Sequence, residues 1–328
     1  MAPELQNQRR HLQSTKIKMH ASIIIPTYNG AEDIKKCLRA CLNQVTDFNY
    51  EIVLVDSSST DGTQEYLNAI TQKHSNIVVE IIKQSDFGHG KTRNLGASIA
   101  SGEFLCFITQ DAIPADQFWL QNLVSGLASH PNAAGAFGRH LAQEGHSAYT
   151  KSQLDTHFSG FGDKTNAYKM DSLEHYEADT AYRQKLHYYS DNNSCMRREI
   201  WEKIPYADVV FGEDQIWADA IIRAGYEKLY IPNAIVYHSH EFGLKESYLR
   251  SKEEAHFFAS HFGYKLKKDI ASVIKTTFYL ANKEFKFTRK NQSIIQAILR
   301  YPGNVAKYTA CMIGQYVGTG KQASIDHG

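Results

Sequence analysis

Between residues 21 and 110 the sequence switches repeatedly from a short apolar run to an amphipathic stretch, and this alternation limits the fold more than any other feature. Ala21–Pro26 (ASIIIP), Glu51–Asp56 (EIVLVD), Ile77–Lys83 (IVVEIIK) and Glu103–Thr109 (EFLCFIT) are β-branched or aromatic runs of strand length. After the first of them, Ile34, Cys37, Leu38, Cys41 and Leu42 recur at intervals of three and four, which predicts a helix over residues 31–44. A second helix is expected through Tyr66, Leu67 and Ile70, and a third ending near Ala100. Strands apolar along their whole length need cover on both faces. The pattern therefore predicts an α/β fold, a mostly parallel Rossmann-like sheet with helices on both sides. Ligands of such sheets sit at the carboxyl ends of the strands, so the chemistry is to be sought in the turns after Ile25, Val55, Lys83 and Ile108.

Periodicity weakens over residues 139–191, where Tyr, His, Asp and Gly dominate. This segment reads as an irregular insertion facing a substrate, with Tyr149, His157, Asp171, Tyr188 and Asp191 as candidate contacts. Regularity returns with a helix near Arg197–Lys203, a helix containing Asp214–Ala224 and a strand at Lys228–Ile231. The expected organisation is a flexible N-terminal segment (1–20), an α/β domain (21–244) and a basic helical C-terminal extension (245–328). The first segment lacks the apolar core of a secretory signal, and no run approaches the length of a membrane span. Five scattered cysteines without a CxxC pair fit a reducing compartment.

Each turn offers chemistry beside a plainer structural role. In Pro26-Thr27-Tyr28-Asn29-Gly30 an aromatic ring and free backbone amides can sandwich a flat heterocycle, or the segment is an ordinary strand-to-helix loop. Asp56 ends its strand and can accept from a nucleobase imide or serve the next helix as a cap. Gly90-Lys91-Thr92 resembles the end of a phosphate-binding P-loop, but Ser85 stands where that loop requires its first glycine, so a Walker-type ATPase is disfavoured. Arg93, at a helix start, can pair with a diphosphate or form a salt bridge. Asp111, in Thr109-Gln110-Asp111-Ala112-Ile113-Pro114, can hold a cation bridging two phosphates. Glu213 and Asp214 open a helix whose dipole suits acids. In Tyr237-His238-Ser239-His240 the two histidines share a face if the segment is extended.

Taken in order, PTYNG, VDSSSTDGT, HGKTRNLGA, TQDAIP, GEDQIWADAIIRAGY and VYHSH resemble the family-two inverting nucleotide-sugar glycosyltransferases over about residues 21–242. HGKTRN, TQDAIP and VYHSH resemble the bacterial rhamnosyltransferase branch. The resemblance implies a GT-A fold in which Pro26, Thr27, Tyr28, Asn29 and Asp56 surround the nucleobase. It puts Gly90, Arg93 and Gln110 near the ribose and diphosphate, and Asp111 with His238 at a divalent cation, Mg²⁺ or Mn²⁺. Asp214 matches the catalytic base, with Glu213 beside it; His240 is the weaker metal candidate. Thr109 and Gln110 stand where the family's DXD motif is often acidic, which leaves one carboxylate for the cation. The implied donor is dTDP-L-rhamnose and the implied acceptor a lipid-linked surface glycan. The alternatives are a UDP-hexose or UDP-N-acetylhexosamine donor, or a nucleotide- or glycan-binding module without activity.

The net charge of +1 conceals a polarity: residues 21–244 carry 18 basic and 28 acidic side chains, residues 245–328 carry 14 and six. A basic tail with apolar helices suits peripheral attachment to an anionic membrane, here the inner face of the cell membrane in a cytoplasmic enzyme; a solvated helical face or a contact between copies of the chain is the alternative. An acidic body argues against a nucleic-acid partner.

Overall fold

The computed structural model describes residues 20–320, so the N-terminal segment, His20 apart, and residues 321–328 of the extension lie outside the described residues. Strand β1 (Ala21–Thr27) leads to α1 (Ala31–Leu42), β2 (Tyr50–Asp56), α2 (Thr63–Thr71), β3 (Ile77–Ile81), α3 (His89–Ile99) and β4 (Phe104–Phe107). Next come β5 (Ile113–Pro114), α4 (Trp119–Ala128), β6 (Ala133–Leu141), α5 (Ala148–Ser159), β7 (Asn166–Tyr168), α6 (Leu173–Ala178) and α7 (Thr180–His187). The chain ends with β8 (Ser194–Arg197), α8 (Arg198–Trp201), α9 (Glu213–Arg223), β9 (Glu227–Tyr237), α10 (Leu244–Phe262), α11 (Ile270–Asn291) and α12 (Ile294–Gly320).

The sheet runs β3-β2-β1-β4-β8-β6-β9-β5, with β7 paired to β9. Its first four strands are parallel, as their unbroken apolar character predicts, with Ile23 in register with both Ile52 and Cys106. Past β4 the sheet is mixed, because β8 runs antiparallel between β4 and β6. Side chains alternate between two cores. Ile23, Ile25, Ile52 and Leu54 pack with Ile34 and Leu38 of α1 and Leu123 of α4. Ile24, Val53, Leu105 and Phe107 pack with Ala97 of α3, Trp217 and Ile221 of α9, and the aromatic rings of the insertion. Each fully buried aliphatic contributes about 1.5–3 kcal/mol.

Two expectations change. The expected strand at Lys228–Ile231 continues to Tyr237, because a register shift after Gly138 lets the chain absorb Pro232 and resume pairing at Ile235. Residues 139–191 are not irregular: they complete β6 and form α5, β7, α6 and α7. Ser147, Ser172 and Asp179 cap the three helices with their side chains.

The C-terminal helices pack back onto the body. Close approach of α12 to α10 rests on missing side chains: a Cβ on Gly314 would lie 2.4 Å from the Tyr248 carbonyl, and one on Gly318 2.1 Å from that of Lys252. Tyr308 of α12 donates to Glu284 of α11 at 2.7 Å, and Phe287 of α11 meets Tyr149 of α5 edge-on. No helix among the described residues is long and apolar enough to cross a membrane.

Candidate active site

A cavity of about 800 Å³ opens at the carboxyl ends of β1 and β4 and is closed by the start of α9, the end of β9 and one side of α10. Its size is that of a small-molecule site. Tyr28 presents a ring 38% exposed on one wall. Gln110 fixes that ring's backbone: its amide accepts from Tyr28 N at 2.9 Å and donates to Tyr28 O at 3.0 Å. This clamp requires Gly30, since a Cβ there would fall 2.4 Å from the Gln110 amide nitrogen.

The acids form the opposite feature of the site. Gly212 adopts φ 79° and turns the chain so that Glu213 and Asp214 form the first turn of α9. Arg93, 5% exposed, donates from Nη1 to Glu213 at 2.5 Å and lies 3.4 Å from Asp191 through Nε. Asp191 also accepts from Ser194 and Tyr206 hydroxyls at 2.7 Å each. Two carboxyls thus pair with one guanidinium, and a third, Asp214, stands next to them. Burial, then the charges of Glu213 and Asp191, push the Asp214 carboxyl well above the usual carboxylate range, while Arg93 opposes this. Asp214 is partly exposed to the cavity and accepts from Gln215 N at 2.8 Å. Its Oδ2 accepts a longer bond from Asp191 N at 3.4 Å, and a partly exposed carboxyl of raised proton affinity has the properties of a general base.

Asp111, His238 and His240 form the third feature. Their ligating atoms lie within 4.8 Å of one another, with Asp111 Oδ2 at 3.6 Å and 3.3 Å from the two Nε2 atoms and these 3.1 Å apart. Burial raises the Asp111 pKa, but His238, Thr109 and His240 outweigh it and hold the carboxyl well below its ordinary range. Burial and the neighbouring His238 lower His240. Two imidazole nitrogens and one carboxylate oxygen converging on one point are a donor set that fits a divalent cation.

The structure brings Pro26, Thr27, Tyr28, Arg93, Gln110, Asp111, Glu213, Asp214 and His238 to this one cavity, although they span more than 200 residues. Three expected contacts do not line it. Asp56 is fully buried, its oxygens accepting from Thr27, Ser59 and Gln64. Asn29 braces the neighbouring turn by accepting from Thr60 N at 2.8 Å. Gly90 serves helix packing, since a Cβ there would sit 2.1 Å from the Ala207 carbonyl. Arg93 reaches the cavity wall, where Nη1 donates to Glu213 and to the His89 carbonyl and Nε lies beside Asp191, while Nη2 has no hydrogen-bond partner among the described residues. Of the insertion candidates, Asp191 holds Arg93, Tyr149 packs on α11, and Asp171 binds His175 at the surface. Sequence reasoning missed Arg250, whose side chain is 54% exposed and which lines the cavity from α10. It underweighted His240, although the i, i+2 spacing with His238 carried the signal.

Fold and cavity define an enzyme class: an α/β sheet with a base-capable carboxyl, a cation-binding triad and an aromatic shelf at its strand ends. Residues 22–204 match the Glycosyl transferase family 2 profile, and the chain belongs to that family and has its GT-A fold. It is 29% identical to the O-antigen chain rhamnosyltransferase RfbN of Salmonella typhimurium over 83% of this chain and 82% of that one. It is 28% identical to the rhamnosyltransferase WbaN of Salmonella anatum over 82% and 81%. Among solved structures, the mannosyltransferase PcManGT of Pyrobaculum calidifontis, in complex with GDP-Man and Mn²⁺, superposes with a TM-score of 0.60 at 17% identity, covering 96% of this chain and 92% of that one.

Proposed function

We propose that this glycosyltransferase inverts the anomeric centre as it moves L-rhamnose from dTDP-L-rhamnose to a hydroxyl of a lipid-linked surface-polysaccharide intermediate. The observation that supports the mechanism is that Asp214 and the Asp111–His238–His240 triad line a single cavity with Tyr28. A sugar hydroxyl is a poor nucleophile at neutral pH. Asp214 takes its proton as the oxygen attacks the anomeric carbon, and the bond to the nucleoside diphosphate breaks on the opposite face. Glu213, ion-paired to Arg93, keeps the guanidinium in place rather than taking the proton. Tyr28 stacks on the base. Arg250, half-exposed and in a surface ion pair with Glu246 at 3.5 Å, faces the diphosphate, whereas Arg93 is buried against Glu213 and Asp191. A divalent cation held by Asp111, His238 and His240 would neutralise charge on the leaving group. Two imidazoles favour Mn²⁺ over Mg²⁺.

The rhamnosyl assignment rests on the two Salmonella relatives and on HGKTRN, TQDAIP and VYHSH. Product release from a panel of dTDP-, UDP- and GDP-sugars, with and without EDTA, tests it. Release of dTDP from dTDP-rhamnose alone is expected. UDP release would assign a UDP-hexose or UDP-N-acetylhexosamine donor, and no release from any sugar would leave a binding module.

We further propose that the enzyme works at the cytoplasmic face of the membrane. Ile294, Ile295, Ile298 and Leu299 are exposed on the first turns of α12, next in sequence to Lys286, Arg289 and Lys290 at the end of α11. Aliphatic side chains beside cations suit an anionic lipid surface, each charge worth about 1 kcal/mol there.

A further inference from the structure

A second cavity, about 510 Å³, lies between α5, α7 and the C-terminal helices α10 and α12. Gln215, the residue after Asp214, lines both cavities and is the residue that they share. Its apolar surface is aromatic: Phe161, Tyr188 and Phe258 are in its wall. Between the rings stand Gln184 of α7, Glu254 of α10 and Gln315 of α12. Among the described residues none of these three side chains has a hydrogen-bond or ion-pair partner. Each is half-buried, so each lacks part of its hydration without a protein group in exchange. Burial pushes the Glu254 carboxyl up.

We infer that this cavity is the acceptor subsite and takes a pyranose ring of a neutral saccharide, with the C-terminal helices supplying two of these three polar contacts. A pyranose offers apolar C–H faces for the rings and hydroxyls, both donors and acceptors, for two amides and a carboxyl. No cationic ligand is indicated, since Lys185 stands at the same wall, its ammonium 5.3 Å over the Tyr168 ring. Lys228 fixes the floor. Its buried ammonium donates to the carbonyls of Lys185, Leu186 and Tyr188 at 3.0, 2.6 and 2.5 Å, closing the end of α7 where Tyr188 enters the wall. A ring seated here carries its hydroxyl past Gln215 to Asp214. The inference rests on the glycosyltransferase reading of the first cavity and extends it: the helices after β9 complete the substrate site.

The test is saturation-transfer NMR on the full chain. The probes are methyl α-L-rhamnoside, methyl α-D-mannoside, methyl β-D-galactoside, methyl N-acetyl-β-D-glucosaminide and octyl β-D-glucoside. Titration of dTDP, UDP and GDP with Mn²⁺ into the same sample reports on the first cavity. At least one glycoside should show ring-proton saturation that falls at least fivefold in Glu254→Gln and in Gln315→Leu, while nucleotide binding is unchanged. Gln184→Ala, on a different helix, should repeat the loss if either of those variants unfolds. Ring signals absent for every glycoside, or surviving all three substitutions, overturn the inference. So does saturation confined to the octyl chain, which would make the cavity a lipid site. Nucleotide binding absent from the wild type would instead remove the reading of the first cavity.

Discussion

Asp191 and Glu213 pair with one guanidinium, and Asp214 stands partly buried beside these acids, which raises its affinity for a proton. Its carboxyl binds a proton more tightly in the folded chain than in the unfolded one, by burial first and by the neighbouring acids second. Stability therefore falls as pH rises through the raised folded pKa, and the penalty is fully present above it. Asp214→Asn should bind nucleotide, lose most transfer, and melt higher than the wild type at neutral pH. The difference should vanish below about pH 4, where both states of the wild-type side chain are protonated; calorimetry across pH checks this, and a lower melting point at pH 7 would contradict it. The acid limb of kcat/KM should lie above the ordinary carboxylate range for the same reason. Arg93→Met should cost about 3–5 kcal/mol by denaturant unfolding, because it leaves buried acids without a counter-ion. At the triad, His240→Ala should weaken Mn²⁺-dependent donor binding by calorimetric titration; an unaltered isotherm would exclude His240 as a ligand.

At the level of elements, the first turn of α9 depends on a backbone that only glycine adopts readily. Gly212 has φ 79°, and a Cβ there would lie 2.2 Å from the Phe257 ring of α10. The left-handed conformation alone costs a side chain about 1–2 kcal/mol. Gly212→Ala should lower both melting temperature and turnover, and Gly212→Ala with Phe257→Leu should recover part of the loss, because it relieves the clash but not the dihedral. Full recovery would show that contact alone matters. α4 shows the limit of local reading. Leu120, Leu123, Val124 and Leu127 are buried at helical spacing, but neither α4 nor β6 is among the elements expected from the sequence. α5 was harder, since it buries only Tyr149 and Phe158 and carries no clear apolar stripe.

Across the whole molecule, the membrane contact proposed for the basic tail can be tested at its exposed aliphatic side chains. Ile295 and Leu299 are 66% and 74% exposed, so replacing both by Ser should leave the fold intact. Co-sedimentation with phosphatidylglycerol vesicles should fall at least several-fold in that variant and weaken with salt in the wild type. Binding unchanged in the variant would assign the tail to contacts between copies of the chain, visible in the sedimentation coefficient. Truncation is the poorer test, because α12 also packs Gly314 and Gly318 against α10.

The alternation of the first four strands with helices, their cover on both faces and the residue types in the turns after them were set by the sequence alone, since periodicity and turn residues act within a few positions of each other. Pro26 to Tyr28, Asp111, Asp214 and His238 could be named because each sits at or near the end of a regular run. Which side chains satisfy one another was decided only in three dimensions. Arg93 and Glu213 are 120 residues apart, and their pairing depends on α3 and α9 packing on the same face of the sheet. That packing made a candidate phosphate ligand the counter-ion of the acids; separately, Thr27, Ser59 and Gln64 hold Asp56 in the interior, and the return of α10 onto the body brings Arg250 to the cavity. A buried charge is held by whatever folding places beside it, and local sequence does not record that neighbour.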